Sequence, residues 1–535
     1  MTDPRPAATA DTSDDDDATV HIQKKLVYVI YAALMAAMFL SSLDQSVVST
    51  ALPTIVGDLG AVSHEGWIIT SYLLAIAIVM PIYGKVGDLI GRRWPFLFAI
   101  AVFVLGSLSS ALADSFWMLV AARTFQGLGA GGLVILSQAI IADIVSARDR
   151  GKYMGPMGAI FGIASVAGPL LGGWFTEGPG WRWCFWLNVP IGLIALVVAF
   201  FALKLPTQRP ARRFDWFGTL FLAGATAGIV FMTSWPSIVA SGKYDWSDPW
   251  LLGLLIATVV SFGLFIFVET HVDDPLVPLR LFRDPVFSVS VSVALVLGIT
   301  MFAALSFLPT FLQMARGVGP TDSGLLMLPM TAGVMLTAIG SGLLITKTGK
   351  YRIFPIVGMA ITTLGIAWLT RITGSMSMIL FGGMIFVLGF GMGLVIQTIV
   401  IAVQNSVDPS EVGTATSTNN FLREIGAAVG TSVFGTVFTS RLATNLHDVM
   451  ATIPPSQLPA GLGDGELTPD VVRDLPEPLH TEVVNAYVDA MAPSFWYLVP
   501  IAAVGFVLSL FLHNRTLSTK AGLEARGEAA DSPTH

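Results

Sequence analysis

Between Val27 and Leu512 the chain returns repeatedly to apolar runs of about 20 residues, the length at which an α-helix crosses a hydrocarbon layer roughly 30 Å thick. A single run could be an anchor, whereas a long series makes the protein polytopic and its fold class all-α. Composition points the same way. Charged residues make up 12% and hydrophobic residues 54%, while soluble globular proteins carry about 25% charged residues. A water-facing surface cannot be assembled from such a chain. The single cysteine, Cys184, excludes an intrachain disulfide and a multi-cysteine metal cage, so stability must come from lipid burial and helix packing.

Charges, Gly and Pro bound the apolar runs and predict spans near 27–50, 66–83, 95–112, 116–141, 153–174, 184–203, 214–234, 249–269, 286–311, 322–346, 354–373, 377–403, 415–439 and 491–512, fourteen in all. Residues 1–26 read as a disordered tail and 27–203 as a six-helix bundle. Residues 204–285 hold two further helices and their loops, 286–512 a second six-helix bundle with a long acidic outer loop at 440–490, and 513–535 a second tail. The tail 1–26 has an acidic run at Asp14–Asp17 and no small-residue cleavage site, so the first span is expected to be an uncleaved anchor.

Orientation follows from Lys and Arg, which cytoplasmic loops retain. With the N-terminus inside, 21 of the 29 fall in inside segments and six outside (Arg182, Lys243, Arg316, Arg371, Arg441, Arg473), while Arg123 and Arg423 lie within spans. Both termini are therefore expected in the cytoplasm. The net charge of −7 sits in the tails and the late loop, and no basic cluster of the nucleic-acid-binding kind occurs outside short turns. Nucleic acid is not expected as a partner; the lipid bilayer and a small organic molecule are.

An internal repeat organises the spans. Gly127, Gly129, Gly131 and Gly151 match Gly389, Gly391, Gly393 and Gly413 at an offset of 262; Gly84 and Gly91 match Gly342 and Gly349 at 258; Leu52-Pro53-Thr54 matches Leu308-Pro309-Thr310 at 256. Six spans fill only about 180 residues, so the offset leaves room for an inserted pair, helices seven and eight. Charge is not repeated: Asp44, Asp88 and Arg123 correspond to Thr300, Thr346 and Ile385. Scaffold is duplicated, and the chemistry is expected in the first half.

Asp44 is expected about six residues, roughly 9 Å, below the outer end of helix one, and Arg123 about seven below that of helix four. An ionisable group inside a span is by default a functional candidate. A carboxylate poised between desolvation and a nearby guanidinium can change protonation as a cavity opens to either side. A static ion pair that only fixes helix packing is the alternative. Between helices two and three, Gly84-Lys-Val-Gly-Asp88-Leu-Ile-Gly91-Arg92-Arg93 offers tight turns, an Asp88–Arg92 pair one turn apart, and a carboxylate able to meet a helix N-terminus; a solvated turn is the plainer reading. Helix five carries Gly158, Gly162, Gly168, Pro169, Gly172 and Gly173, which permit close helix contact and, at Pro169, a bend and hinge. Arg423 and Glu424 form a second-rank site, with Arg423 near enough to the inner face to snorkel.

Several of these stretches resemble the major facilitator superfamily, and more narrowly its fourteen-helix drug:proton antiporter family. Gly84–Arg93 is similar to the signature loop, Leu119–Gly129 with Arg123 and Gln126 to the helix-four arginine motif, Gly168–Gly173 to the helix-five antiporter motif, and Leu43–Pro53 to the helix-one motif. Trp181–Pro190 and Asp274–Arg283 resemble further stretches common in that family. The likeness covers roughly 27–512. It implies that Gly84, Asp88, Gly91 and Arg92 stabilise one state of an alternating-access cycle, that Asp44 and Arg123 couple protons, and that helix five supports exchange. Leu89-Ile90 stands where the family often has a basic residue, so the charge network there is expected to be thinner.

The implied protein is a secondary transporter, not an enzyme, functional as a monomer in the bacterial cytoplasmic membrane. It would need no cofactor beyond protons and would export drugs, dyes or a secondary metabolite. Export of lipid-linked molecules is an alternative, and a non-transporting sensor or scaffold another. No Gly-x-x-x-x-Gly-Lys-Ser/Thr loop occurs, which argues against ATP hydrolysis.

Overall fold

A computed structural model describes residues 24–60, 64, 66–205, 214–235, 248–452, 472, 473 and 475–525. Most of the tail 1–26, parts of the loops flanking helices seven and eight, the segment 453–471 and residues 526–535 lie outside the described residues. Helices occupy all fourteen expected places: α1 Lys24–Asp58, α2 Gly66–Ile90, α3 Arg93–Ala111, α4 Phe116–Ile144, α5 Arg150–Glu177, α6 Trp183–Ala202, α7 Trp216–Thr233, α8 Pro249–His271, α9 Pro285–Arg316, α10 Thr321–Thr348, α11 Ile353–Leu369, α12 Met378–Gln404, α13 Val412–Thr452 and α14 Leu479–Leu510. Twelve are long and apolar enough to cross a membrane. The other two are α11, with 17 residues, and α13, which is long but dilutes its apolar residues with Thr, Ser and Asn.

Packing repeats itself. Within the first six helices α2 and α3 pack on α4, α1 packs on α5, and α6 packs on α1 and α3. Shifting every number by eight describes the last six: α10 and α11 on α12, α9 on α13, α14 on α9 and α11. Helices α7 and α8 pair with each other and lean, through α7, on α2 and α13. The matched glycines make this possible. Without help from water, helices in lipid associate by close van der Waals approach, which small residues permit. A methyl group at Gly127 would meet Tyr72 O of α2, and one at Gly389 would meet Met330 O of α10. Gly91 and Gly349 hold the same left-handed turn, φ 86° and 69°.

The two sets meet along α2 against α13 and α5 against α10. Gly84 approaches Gly413 there, and Gly151 approaches Gly342, so the repeat-related glycines exchange partners across the interface. Most hydrogen bonds between the sets lie toward the end that holds the start of α1 and residues 513–525, called here the terminal end: Gly413 and Thr414 to Asp88, Gln404 and Asn420 to Gln138, Arg148 to Thr346 O. The last described residues strap this end. Tyr351 Oη donates to His513 O, Arg515 pairs with Asp284, Arg148 N donates to Ser518 O, Leu523 sits in the apolar cluster built mainly from the first six helices, and Leu517 packs against it.

Two expectations are corrected. Helix one does not end near residue 50 but runs to Asp58, whose carboxylate accepts a 2.9 Å bond from Trp181 Nε1. Both ends of the long outer loop 440–490 are helix: α13 continues through 452 and α14 begins at 479, turns that an apolar-run criterion cannot register. Helix α5 is one unbroken run that includes Pro169.

Candidate functional site

Asp44 and Arg123 meet as expected, although α1 overshoots. Asp44 is 1% exposed, and its Oδ2 accepts from Arg123 Nη1 at 2.6 Å. Its other oxygen accepts from Gln126 Nε2 at 2.8 Å and Asn188 Nδ2 at 2.7 Å. Gln126 closes the circuit, because its Oε1 accepts from the same Arg123 nitrogen at 2.7 Å. Ser107 Oγ of α3 receives bonds from both amides. The guanidinium lies 3.8 Å from the centre of the Tyr72 ring, and Tyr72 Oη bonds Ser41 O. Five helices thus supply one sealed polar knot. Burying an ion pair has little net value by itself, but stripping one partner strands a charge at a cost of about 3–5 kcal/mol.

Sequence reasoning found Asp44, Arg123 and Gln126 and missed the roles of Asn188, Ser107 and Tyr72. Asn188 sits in the Trp181–Pro190 stretch, the one available signal; Ser107 and Tyr72 are ordinary residues of apolar helices whose places only the fold discloses.

A second cluster lies at the terminal end. Arg92 binds Asp88 Oδ1 at 3.0 Å and Asp143 Oδ1 at 2.8 Å, and its Nη1 also bonds Ala139 O. Asp88 in turn accepts Gly413 N at 2.9 Å and Thr414 N at 2.7 Å, both in the first turn of α13. The expected carboxylate-to-helix-N-terminus contact therefore exists, and it joins the first set of helices to the last. N–H groups there are free of intrahelical partners and carry the positive end of the helix dipole. Gly84 is glycine because a side chain would strike Ser417 and Gly413 O. Asp143 brings a second carboxylate to Arg92 from α4, and no basic residue takes the place that Leu89-Ile90 leave.

On α5, Gly168 and Gly172 face Ser46 and Thr50 of α1, whereas Gly162 and Gly173 face Thr331 and Thr321 of α10. Pro169 packs on Gly324. One helix is thus wedged between the two sets by its small residues. Arg423 is a correction: α13 starts at Val412, not 415, so Arg423 lies eleven residues inside, about 16 Å deep. It is 4% exposed and stands over the Phe161 ring of α5 at 5.7 Å rather than snorkelling to the surface; Glu424 lies 3.4 Å away.

The model of the Major Facilitator Superfamily matches residues 34–431. The chain is 36% identical over 492 residues to an uncharacterized MFS-type transporter of Mycobacterium tuberculosis, covering 92% of this chain and 70% of that one. With the multidrug transporter protein MdtP of Bacillus subtilis it shares 32% identity, covering 95% and 98%. Among solved structures it is similar to the human organic anion transporter MFSD10 (TETRAN), with a TM-score of 0.59 at 15% identity and coverage of 90% and 99%. A bacterial homolog of the human lysosomal transporter Spinster gives 0.54 at 17%, covering 92% and 98%. The chain belongs to the Major Facilitator Superfamily, and so to the transporters that move small organic molecules across a membrane rather than to the enzymes.

Proposed function

We propose that this protein is a proton-coupled antiporter that exports amphiphilic organic compounds across the bacterial cytoplasmic membrane by alternating access. In this reading all fourteen helices span the bilayer, α1–α6 and α9–α14 form two bundles with α7 and α8 inserted between them, and both termini face the cytoplasm. The observation that carries the proposal is the Asp44 carboxylate, closed off from water yet held by three donors, Arg123, Gln126 and Asn188. An ionisable group inside a span is by default a functional candidate, and any motion of α4 or α6 acts directly on this one. Arg123 cannot give up its own charge and serves as the fixed counter-ion.

The terminal end, closed by Asp88 on α13, corresponds to a state shut toward the cytoplasm. Proton arrival from outside at Asp44 would loosen the Arg123 knot, and motion of α4 carries Asp143 with it, so the two clusters share one helix. The names of MdtP and of multidrug resistance protein 3 of Bacillus subtilis, at 32% and 30% identity, support a drug-type cargo. The test is efflux of a panel of cationic and neutral dyes from cells lacking other pumps, with and without an uncoupler. Efflux that persists undiminished after the proton gradient collapses would overturn the reading.

A further inference from the structure

Among the described residues two buried arginines lie well inside helices, and their surroundings differ. Arg123 is engaged by Asp44, Gln126 and Tyr72. Arg423 is almost as deeply buried, yet among the described residues its one polar contact is Nη2 to Glu424 Oε1 at 3.4 Å; the Nε atoms of both arginines lack an acceptor. Neighbours in a helix diverge by about 100°, so Glu424 grazes the guanidinium and cannot present two parallel oxygens to it. A planar fork of five donors is left with most of its capacity unused in a dry place.

That place is central. Arg423 stands eleven residues into α13, and Phe161 eleven residues into α5, so the pair marks mid-height where the two sets of helices meet. One turn from Phe161, Gly158 leaves room for Gln397 of α12, whose Oε1 and Nε2 are both buried and have no partner among the described residues. One turn before Arg423, Asn419 Oδ1 is likewise unpartnered. A guanidinium of α13 thus stands over an aromatic face of α5, and an amide of α12 lies against the same helix one turn away.

We propose that Arg423, Phe161 and Gln397 form the subsite for a carboxylate borne on an aromatic substrate. The guanidinium takes the two oxygens as a fork, Gln397 Nε2 donates to one of them, and Phe161 packs on the apolar body. The proposal rests on the export reading and narrows its cargo to include organic anions, whose exit an inside-negative potential also favours.

The test is equilibrium binding to the purified full-length protein in detergent, followed by fluorescence polarisation. The probes are fluorescein, which carries the carboxylate, and rhodamine 123, a cationic xanthene whose carboxyl is esterified. Arg423→Gln should weaken fluorescein binding about tenfold or more while changing rhodamine 123 by less than about threefold. Arg423→Lys should fall between wild type and Gln, and Glu424→Gln, which removes the competing negative charge, should bind fluorescein more tightly than wild type. No fluorescein binding by wild type, or an equal loss of both dyes in Arg423→Gln, overturns the subsite. If Arg423→Gln fails to fold, the opposite-signed effects of Arg423→Lys and Glu424→Gln decide. Binding needs no gradient, so a failure of proton coupling would show in uncoupled efflux and leave these titrations unaffected.

Discussion

Neutralising Asp88 should open the terminal end. In Asp88→Asn the side chain keeps one acceptor oxygen but loses the charge that draws Gly413 N, Thr414 N and Arg92 together at 2.9, 2.7 and 3.0 Å. A hydrogen bond to a charged group contributes about 1.5–3 kcal/mol, and at least one of the two backbone bonds is lost. The amide nitrogen then faces either Arg92 or the α13 N-terminus, both unfavourable to a donor. The ratio of open to closed states should rise roughly ten- to hundredfold. Spin labels at Lys152 on α5 and Thr348 on α10, both exposed, report the separation of the two sets at this end by double electron–electron resonance. The expected result is a longer-distance population larger than that of wild type. A distance distribution unchanged in a folded Asp88→Asn protein would refute the latch and leave Asp88 a local turn residue.

Other substitutions probe the remaining parts. Gly84→Val should block closure, because the side chain would collide with Ser417 and Gly413 O, and transport should fall severely while membrane abundance holds. Gly168→Leu should reduce abundance and efflux together, since it would drive into Ser46 of α1, whereas Pro169→Ala should preserve abundance and slow efflux if α5 acts as a hinge. Truncation after Leu512 removes the Arg515–Asp284 and Arg148–Ser518 ties and should raise the same long-distance population as Asp88→Asn, to a smaller degree.

The sequence carries the spans plainly because lipid demands apolar length, and each expected run contains a helix. It loses the helix ends for the same reason: residues 51–58, 440–452 and 479–490 are helical without being continuously apolar, and nothing in hydropathy distinguishes them from loop. The glycine repeat was legible as spacing, and its meaning, backbones meeting at Gly84–Gly413 and Gly151–Gly342, is a property of packing. Asp44 and Arg123 could be paired because charges within spans are few. Asn188, Ser107, Tyr72 and Asp143 could not, since each is recruited from a different helix and none is unusual in its own neighbourhood. Arg423 was placed too near the surface by a helix start three residues late and by the assumption that a long basic side chain escapes to water.

The central claim is that Asp44 links proton entry to substrate exit. Moving one proton inward through 100 mV releases about 2.3 kcal/mol, enough for roughly a fifty-fold gradient of a neutral substrate exchanged one for one. Asp44→Asn keeps the shape and an acceptor for Arg123 but cannot carry that proton. Right-side-out efflux measured with and without an uncoupler, at matched membrane abundance, is the direct measurement. The account predicts that the variant loses concentrative, uncoupler-sensitive efflux while remaining folded and inserted. Efflux by Asp44→Asn at the wild-type rate, still sensitive to the uncoupler, would contradict it and move coupling elsewhere, with Glu424 the next carboxylate to test.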